Sequence, residues 1–540
     1  MTLNVLVSSA SAQTSPIRID PVKIDAVFKE YKTTTPGCAV GVYQRGKVLY
    51  AKGYGMADLG LGIPIRPTTV MDIGSTSKQF AAASIVLLAN EGKLSLADDI
   101  RKYLPEIPDY GHPITIDHML RHTSGIRDYN GLLYLAGYRF EDVTDDDDAL
   151  QIIARQKALN FDPGTKWDYS NSGFFLLSVI VKRVTGKTLA EFAKERIFTP
   201  LGMAVSHFRV DHTAILPNRA TAYSPGPKGG FVIDMSNWDQ AGDGAVNTTV
   251  LELAKWDANF YNPVVGGREL VSKLEQRGTL NNGDSLGYAR GQFVETYRGV
   301  RRISHGGSWA GYRAMLMRFP VQAIGIGVTC NVGDADTNAL SEGVADVVLA
   351  AVLAKVPAAK APGSPAGGQG AGSPADRAGT YFSEADQAVV EIATDSGKTV
   401  LKLFGRAFPL VAASSDRFTA VGAPIEVRFA SSTELSLLVL GESQGTFLKV
   451  MPSHPTPADQ AELAGTYRSE ELGTTWTVHL AGGKAVLKSR TMGDNPLEPK
   501  FKDTYQAERG LLVFTRGPSG ITGFNLSASR MQRIRFDRVP

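Results

Sequence analysis

Ser75-Thr76-Ser77-Lys78 sets a hydroxyl and an amine three residues apart, just ahead of an apolar run, Gln79 to Leu88. Ile73-Gly74 leads in and Gly92 marks a stop, so the spacing predicts a helix that begins at this tetrapeptide. Residues three apart on a helix share a face. At the first turn the serine also meets the positive end of the helix dipole. A serine hydroxyl is a weak nucleophile at neutral pH; a neighbouring amine, kept neutral part of the time by burial, can take its proton. One helical turn can therefore supply both a nucleophile, Ser75, and its base, Lys78. The alternative is a capped surface helix, since both residue types are common.

Two further motifs argue against that alternative. Tyr169-Ser170-Asn171 and His305-Gly306-Gly307 follow in order, and the chain holds only one Ser-x-x-Lys, one Tyr-x-Asn and one His-x-Gly. Together with Leu120-Arg121-His122-Thr123-Ser124-Gly125-Ile126, Phe161-Asp162-Pro163-Gly164-Thr165 and Pro200-Leu201-Gly202-Met203, this set resembles the serine β-lactamase and penicillin-binding-protein superfamily. Within it the chain looks like the branch of class C β-lactamases, esterases and D-aminopeptidases, over roughly residues 25–355. The third motif departs from the Lys-Thr-Gly or Lys-Ser-Gly of β-lactamases: His305 stands where that lysine would. The nearest decoy, Lys228-Gly229-Gly230, sits in a Pro/Gly-rich stretch. Histidine suits a carboxylate partner less well than a permanent charge at neutral pH, so the His-x-Gly form points to D-aminopeptidases and related esterases.

The resemblance implies the following roles. Ser75 forms an acyl-enzyme that water cleaves, with Lys78 as base. Tyr169 carries a second proton to the leaving group. The oxyanion hole is built from the backbone N–H groups of Ser75 and Ser308. Asn171 offers its amide to the substrate or to Lys78, and His305 hydrogen-bonds Tyr169 or the substrate. Gly306 and Gly307 let the strand approach the substrate. The expected substrate is a short linear peptide containing D-amino acids, as for D-aminopeptidases and the linear-microcystin peptidases that this chain also resembles. A carboxylesterase, a β-lactamase and a non-catalytic penicillin-recognising receptor are the competing readings. No metal or organic cofactor is implied.

The elements that must position these residues are legible in outline. Residues 39–44 and 48–54 flank Arg45-Gly46-Lys47 and read as a β-hairpin. Strands are expected at Gly291–Glu295, Arg301–His305, Ala314–Phe319 and Gly325–Cys330, with a closing helix at Leu340–Leu353. This order predicts an α+β fold: an antiparallel sheet assembled from both ends of the segment, flanked by helices, with a helical lobe beside it. Val356–Arg377, rich in Pro, Gly, Ala and Ser, reads as a linker. Beyond it Ala378-Gly379-Thr380-Tyr381 recurs as Ala464-Gly465-Thr466-Tyr467, and Val400-Leu401-Lys402 as Val486-Leu487-Lys488, at one offset of 86 residues. Two small antiparallel β-barrel domains, 378–457 and 458–540, are expected. In the second, Ser489–Leu497 holds Gly, Asn and Pro and reads as a protruding loop. By the D-aminopeptidase resemblance it would gate the cleft, with Arg490 and Asp494 meeting a substrate terminus.

Composition narrows the setting. At 540 residues, with 43% hydrophobic and 21% charged residues, the chain describes a globular protein of several domains. A formal charge of +3 does not imply nucleic-acid binding. No apolar run approaches the roughly 18 residues of a membrane span. The expected partner is a peptide substrate, with a homodimer left open. Asp145–Asp148 reads as a solvated loop or helix start. His118 and His122 are four apart, but Met119 stands where a zincin needs Glu, so His122 reads as structural. Cys38 and Cys330 each lie in an apolar β-branched run; the resemblance makes their strands neighbours, yet they read as buried free thiols. Residues 1–24 read as a leader: Ser9-Ala10-Ser11-Ala12 resembles the end of a secretory signal, though no basic n-region precedes it. That leans to a periplasmic or secreted protein over a cytoplasmic one.

Overall fold

The computed structural model describes residues 17, 19–355 and 377–540, except 396, 404, 405, 424, 440 and 441. The expected linker, apart from Arg377, and most of the expected leader lie outside the described residues. The chain divides into two compact units. The first holds the described residues of Met1–Lys93, Thr185–Arg277 and Gly287–Val356. The second holds Leu94–Val184, Gly278–Leu286 and the described residues of Pro357–Pro540. The helical lobe thus groups with the C-terminal barrels.

In the first unit, six antiparallel strands form one sheet, in the order Phe293–Tyr297, Val300–Trp309, Tyr312–Phe319, Ile324–Cys330, Cys38–Gln44, Lys47–Tyr54. The N-terminal hairpin docks on the last strand, so both ends of the segment meet in the sheet. Cys38 pairs directly with Cys330 in the register, and their sulfurs form a disulfide. This corrects the expectation of free thiols: the register brings the two positions face to face, which no local spacing encodes. Alternation along the central strands separates two faces. Val40, Val42, Ile326, Val328 and Met317 pack with Ile24 of helix Pro21–Val27, with Phe28 at its C-cap, and with Val344 and Val348 of helix Thr337–Val348. On the other face Tyr43 donates a hydrogen bond to the carbonyl of Val250, where helix Val250–Asn259 begins.

Helix Lys78–Asn90 is buried at every position from Lys78 to Leu88. Its run from Phe80 to Leu88 is apolar but for Ser84, whose hydroxyl donates to the Phe80 carbonyl, so the helix sits in the core with no face left for water. It continues a 3₁₀ turn, Gly74–Ser77, that carries Ser75.

In the second unit, helices Ile116–Leu120, Tyr129–Ala136, Asp146–Ala154 and Asn171–Thr185 form the lobe. Asp145 caps the third of these with the backbone N–H groups of Asp147 and Asp148, so the run of four acids is a helix start. The barrels bear out the internal repeat. Strands begin at Gly379, Ala388 and Lys398 in one copy and at Gly465, Thr474 and Lys484 in the other, keeping the 86-residue offset. The first copy closes as an eight-stranded barrel and the second as a nine-stranded sheet. No described helix is long and apolar enough to cross a membrane.

A buried ion pair joins the lobe to the second barrel. Arg127 and Glu471 are 1% and 5% exposed at the side chain, and Arg127 also donates to Gln156 Oε1 at 2.9 Å and to the Arg533 carbonyl at 3.3 Å. Breaking one half strands a charge in a low-dielectric interior. Glu471→Gln should lower the unfolding free energy by about 3–5 kcal/mol in urea titrations. Replacing both partners, Arg127→Met with Glu471→Leu, should recover most of the loss. A loss below about 1 kcal/mol in the single variant would show that the pair does not hold this junction.

Candidate functional site

The first unit brings together Ser75, Lys78, His305 and Ser308. Lys78 is fully buried, and its Nζ donates to Ser75 Oγ at 3.0 Å and to the carbonyl of Asp243 at 2.6 Å. Ser75 itself is only partly buried, so the hydroxyl is reachable while its amine partner is not. Asp243 has no counterpart among the residues singled out from sequence. It contributes through its backbone, and a carbonyl leaves no side-chain signature.

The nucleophile turn is pressed against strand Val300–Trp309. Thr76 Oγ1 donates to the His305 carbonyl at 3.0 Å. A Cβ on Gly307 would stand 1.8 Å from the Ile73 carbonyl oxygen, an impossible contact. Gly307 is therefore required by the turn that carries Ser75, a closer constraint than the substrate approach expected for it. Gly306 is under less demand: its added Cβ would meet nothing nearer than Met315 Cε at 3.3 Å. Ser308 follows, exposed, with the backbone N–H expected in the oxyanion hole.

His305 is 3% exposed and hydrogen-bonded on both ring nitrogens. Nδ1 lies 2.6 Å from the Gly306 carbonyl, which can only accept, so Nδ1 carries the proton. Nε2 then accepts from the Tyr288 hydroxyl at 2.9 Å. Tyr288 was not foreseen from sequence. Burial, then the nearby Lys78 charge, push the imidazole down to about 3. His305 is thus a neutral group near pH 7 and supplies no fixed charge for a carboxylate.

The second unit carries Tyr169 and Asn171. Asn171 opens helix Asn171–Thr185, and its backbone N–H donates to Asp128 Oδ2 at 2.7 Å. Asp128 also caps helix Tyr129–Ala136 through Gly131 N at 3.2 Å, so one carboxylate fixes two helix starts. His122 is structural, as expected. Its Nδ1 accepts from Ser170 N at 3.2 Å, its carbonyl accepts from Asp168 N at 2.9 Å, and its ring lies 4.1 Å from that of Tyr169. Gly125 sits at φ +73°, and a Cβ there would meet the Phe161 carbonyl oxygen at 2.0 Å, which ties Leu120–Ile126 to the segment leading to Tyr169.

The Ser489–Leu497 segment does not simply protrude. Asn495 and Pro496 pair with Leu487 and Val486, Asp494 lies 3.4 Å from His479, and Ser489–Gly493 line a cleft of about 490 Å³ with Gly137, Arg139 and Asp142. Arg490 packs beside Gly137. The barrel residue that contacts Tyr169 is Arg530, on the last hairpin, with its guanidinium 4.6 Å from the ring centroid. Sequence gave no signal for it. Among the described residues, no group of three or more His, Cys, Asp or Glu is placed to hold a metal ion.

This geometry agrees with the comparisons. The Beta-lactamase family model matches residues 24–350, and the chain belongs to that family. Among curated relatives, a D-aminopeptidase of Gluconobacter oxydans (strain 621H) is 27% identical over 521 residues, covering 93% of this chain and 96% of that protein. A penicillin-binding protein of Bacillus subtilis (strain 168) is 29% identical over 299 residues; the match covers 51% of this chain and 63% of that protein. Among solved structures, the octameric penicillin-binding protein homologue from Pyrococcus abyssi has the same fold at TM-score 0.58 and 23% identity, over 80% of this chain and 100% of that one. The chain is a serine hydrolase of the β-lactamase superfamily.

The neutral state of His305 has a measurable consequence. Its folded value lies below the unfolded value of 6.5, so between about 3 and 6.5 the unfolded chain binds more protons. The stabilisation is complete above pH 6.5 and is lost as pH falls toward 3. The difference in unfolding free energy between wild type and His305→Gln should therefore grow with pH across that window and level off above it. A difference that stays flat with pH would contradict a neutral, desolvated His305.

Proposed function

We propose that this hydrolase cleaves peptide or amide bonds in short linear peptides containing D-amino acids, through an acyl-enzyme on Ser75. The observation that carries the reading is the 3.0 Å contact between Ser75 Oγ and the buried Lys78 Nζ. In acylation the Ser75 proton passes to Lys78 as the Oγ–C bond forms. The backbone N–H groups of Ser75 and Ser308 hold the oxyanion. The C–N bond then breaks, and Tyr169 delivers a proton to the departing amine. Water adds to the acyl ester, the C–Oγ bond breaks, and the serine recovers its proton. Asn171 aids by orienting the substrate or Lys78.

Two observations favour D-residue peptides over β-lactams. The resemblance to a D-aminopeptidase runs along nearly the whole chain, barrels included. And neutral His305 offers no permanent cation where β-lactamases carry a lysine. Linear microcystin, which contains D-residues, belongs to the same substrate class. The Ser489–Leu497 segment, with Arg490 and Asp494, would act on peptide length rather than on chemistry. The Cys38–Cys330 disulfide supports an oxidising compartment, hence a periplasmic or secreted enzyme.

The test is a substrate panel run on wild type and variants. Wild type should release p-nitroaniline from D-alanine p-nitroanilide faster than from the L-isomer and leave nitrocefin almost untouched. Ser75→Ala should abolish turnover. Lys78→Ala and Tyr169→Phe should each lower the acylation rate by about 10²–10⁴-fold, and together by less than the product. Efficient nitrocefin hydrolysis would make this a β-lactamase. Turnover of p-nitrophenyl esters alone would make it a carboxylesterase. Acylation without turnover would make it a receptor.

A further inference from the structure

The last hairpin of the second barrel, between strands Gly520–Ala528 and Met531–Val539, is pinned to the helical lobe by a reciprocal amide clamp. Asn160 Nδ2 donates to the Arg530 carbonyl at 2.8 Å, and Gln532 N donates to Asn160 Oδ1 at 2.9 Å. Asp128 N also donates to the Arg530 carbonyl, at 3.4 Å. The hairpin backbone is thus held at three points by Asn160 and Asp128, twice at the Arg530 carbonyl and once at Gln532 N.

The side chain is deployed differently. Its guanidinium stacks over the Tyr169 ring at 4.6 Å, and its only ion pair among the described residues is with Asp128 Oδ2 at 3.8 Å, beyond hydrogen-bonding distance. Asp128 is already engaged by Asn171 N and Gly131 N. Among the described residues the Arg530 guanidinium makes no hydrogen bond, and its side chain remains 40% exposed. Beside it opens a cleft of about 330 Å³, lined by Tyr134, Leu135, Glu508, Arg509 and Met531 as well as Arg530 and Asp128, with Glu508 Oε2 accepting from Asn495 Nδ2 at 2.8 Å. The second cation there, Arg509, is already used: it lies 3.5 Å over the Tyr134 ring and donates to the Tyr134 carbonyl at 2.9 Å.

An arginine whose backbone is clamped, whose plane is stacked and whose N–H donors are unused is arranged to receive a planar anion. We infer that Arg530 is a substrate-binding residue that recognises a carboxylate on the peptide whose cleavage Tyr169 assists. This rests on the D-peptide hydrolase reading above. The carboxylate is supplied by the peptide's own C-terminus or by an acidic side chain near the cleaved bond, and the same guanidinium fork suits either.

The experiment uses full-length protein and matched D-alanine-containing peptides. One pair ends in a free carboxylate or a carboxamide; a second pair, C-terminally amidated, carries D-Glu or D-Gln after the cleaved bond. Wild type should show a kcat/KM at least tenfold higher for the charged member of one pair, and which pair does so names the source of the carboxylate. Arg530→Gln should collapse that ratio toward unity, mainly through KM, and Arg530→Lys should restore part of it. A ratio near unity in wild type, or an unchanged ratio in Arg530→Gln, overturns the inference. The wild-type arm stands even if the variant folds poorly. Ser75-dependent release from a p-nitrophenyl ester of D-alanine separates the two claims. Its absence sinks the hydrolase reading, whereas its presence without charge preference sinks only the role of Arg530.

Discussion

The first unit depends on how closely one strand can approach one turn. Strand Val300–Trp309 lies so near Gly74–Ser77 that no side chain fits at Gly307. That contact fixes three things together. It sets the nucleophile turn against the strand through Thr76 and the His305 carbonyl. It places Ser308, with its backbone N–H, one residue beyond the point of contact. And it encloses the turn that follows, so that Lys78 is buried with hydrogen bonds to Ser75 and to the Asp243 backbone. A buried amine needs such partners, because an unsatisfied one would cost several kcal/mol, on the order of the desolvation penalty of a polar group.

The same logic governs His305. A lysine in its place would project a charge; a histidine whose two nitrogens are bound to Tyr288 and to its neighbour's carbonyl stays neutral and rigid. The strand therefore contributes shape at His305 rather than charge. In the second unit Asp128 plays the coordinating part, joining the starts of helices Tyr129–Ala136 and Asn171–Thr185. The Arg127–Glu471 pair and the Asn160 clamp then tie that lobe to the barrel. The barrel is thereby a structural partner of the lobe that carries Tyr169.

Much of this could be read from the residues. The order Ser-x-x-Lys, Tyr-x-Asn, His-x-Gly marks the candidate site, because each motif is local and occurs once. The sheet followed from period-two apolar runs, and the barrels from a repeat whose offset the strands preserve. Gly306-Gly307 weakens strand propensity, so the residues alone end this strand at His305; pairing with Ala314 and Met315 carries it on to Trp309. What stayed hidden depends on contacts distant in sequence. The Cys38–Cys330 bond needs the sheet register. Asp243 acts through a carbonyl, Tyr288 through a lone hydroxyl, and Arg530 reaches Tyr169 across hundreds of residues of chain. The Gly, Asn and Pro content of Ser489–Leu497 predicts a protruding loop and does not reveal that Asn495 and Pro496 return to the sheet.

The claim on which the account rests is that Ser75 becomes covalently acylated. The direct measurement is mass spectrometry of protein acid-quenched during turnover of a D-alanine p-nitrophenyl ester, followed by peptide mapping. The account predicts an added alanyl mass on the peptide containing Ser75, formed far more slowly in Lys78→Ala and Tyr169→Phe and absent from Ser75→Ala. An adduct on another residue, or hydrolysis that persists undiminished in Ser75→Ala, would contradict it.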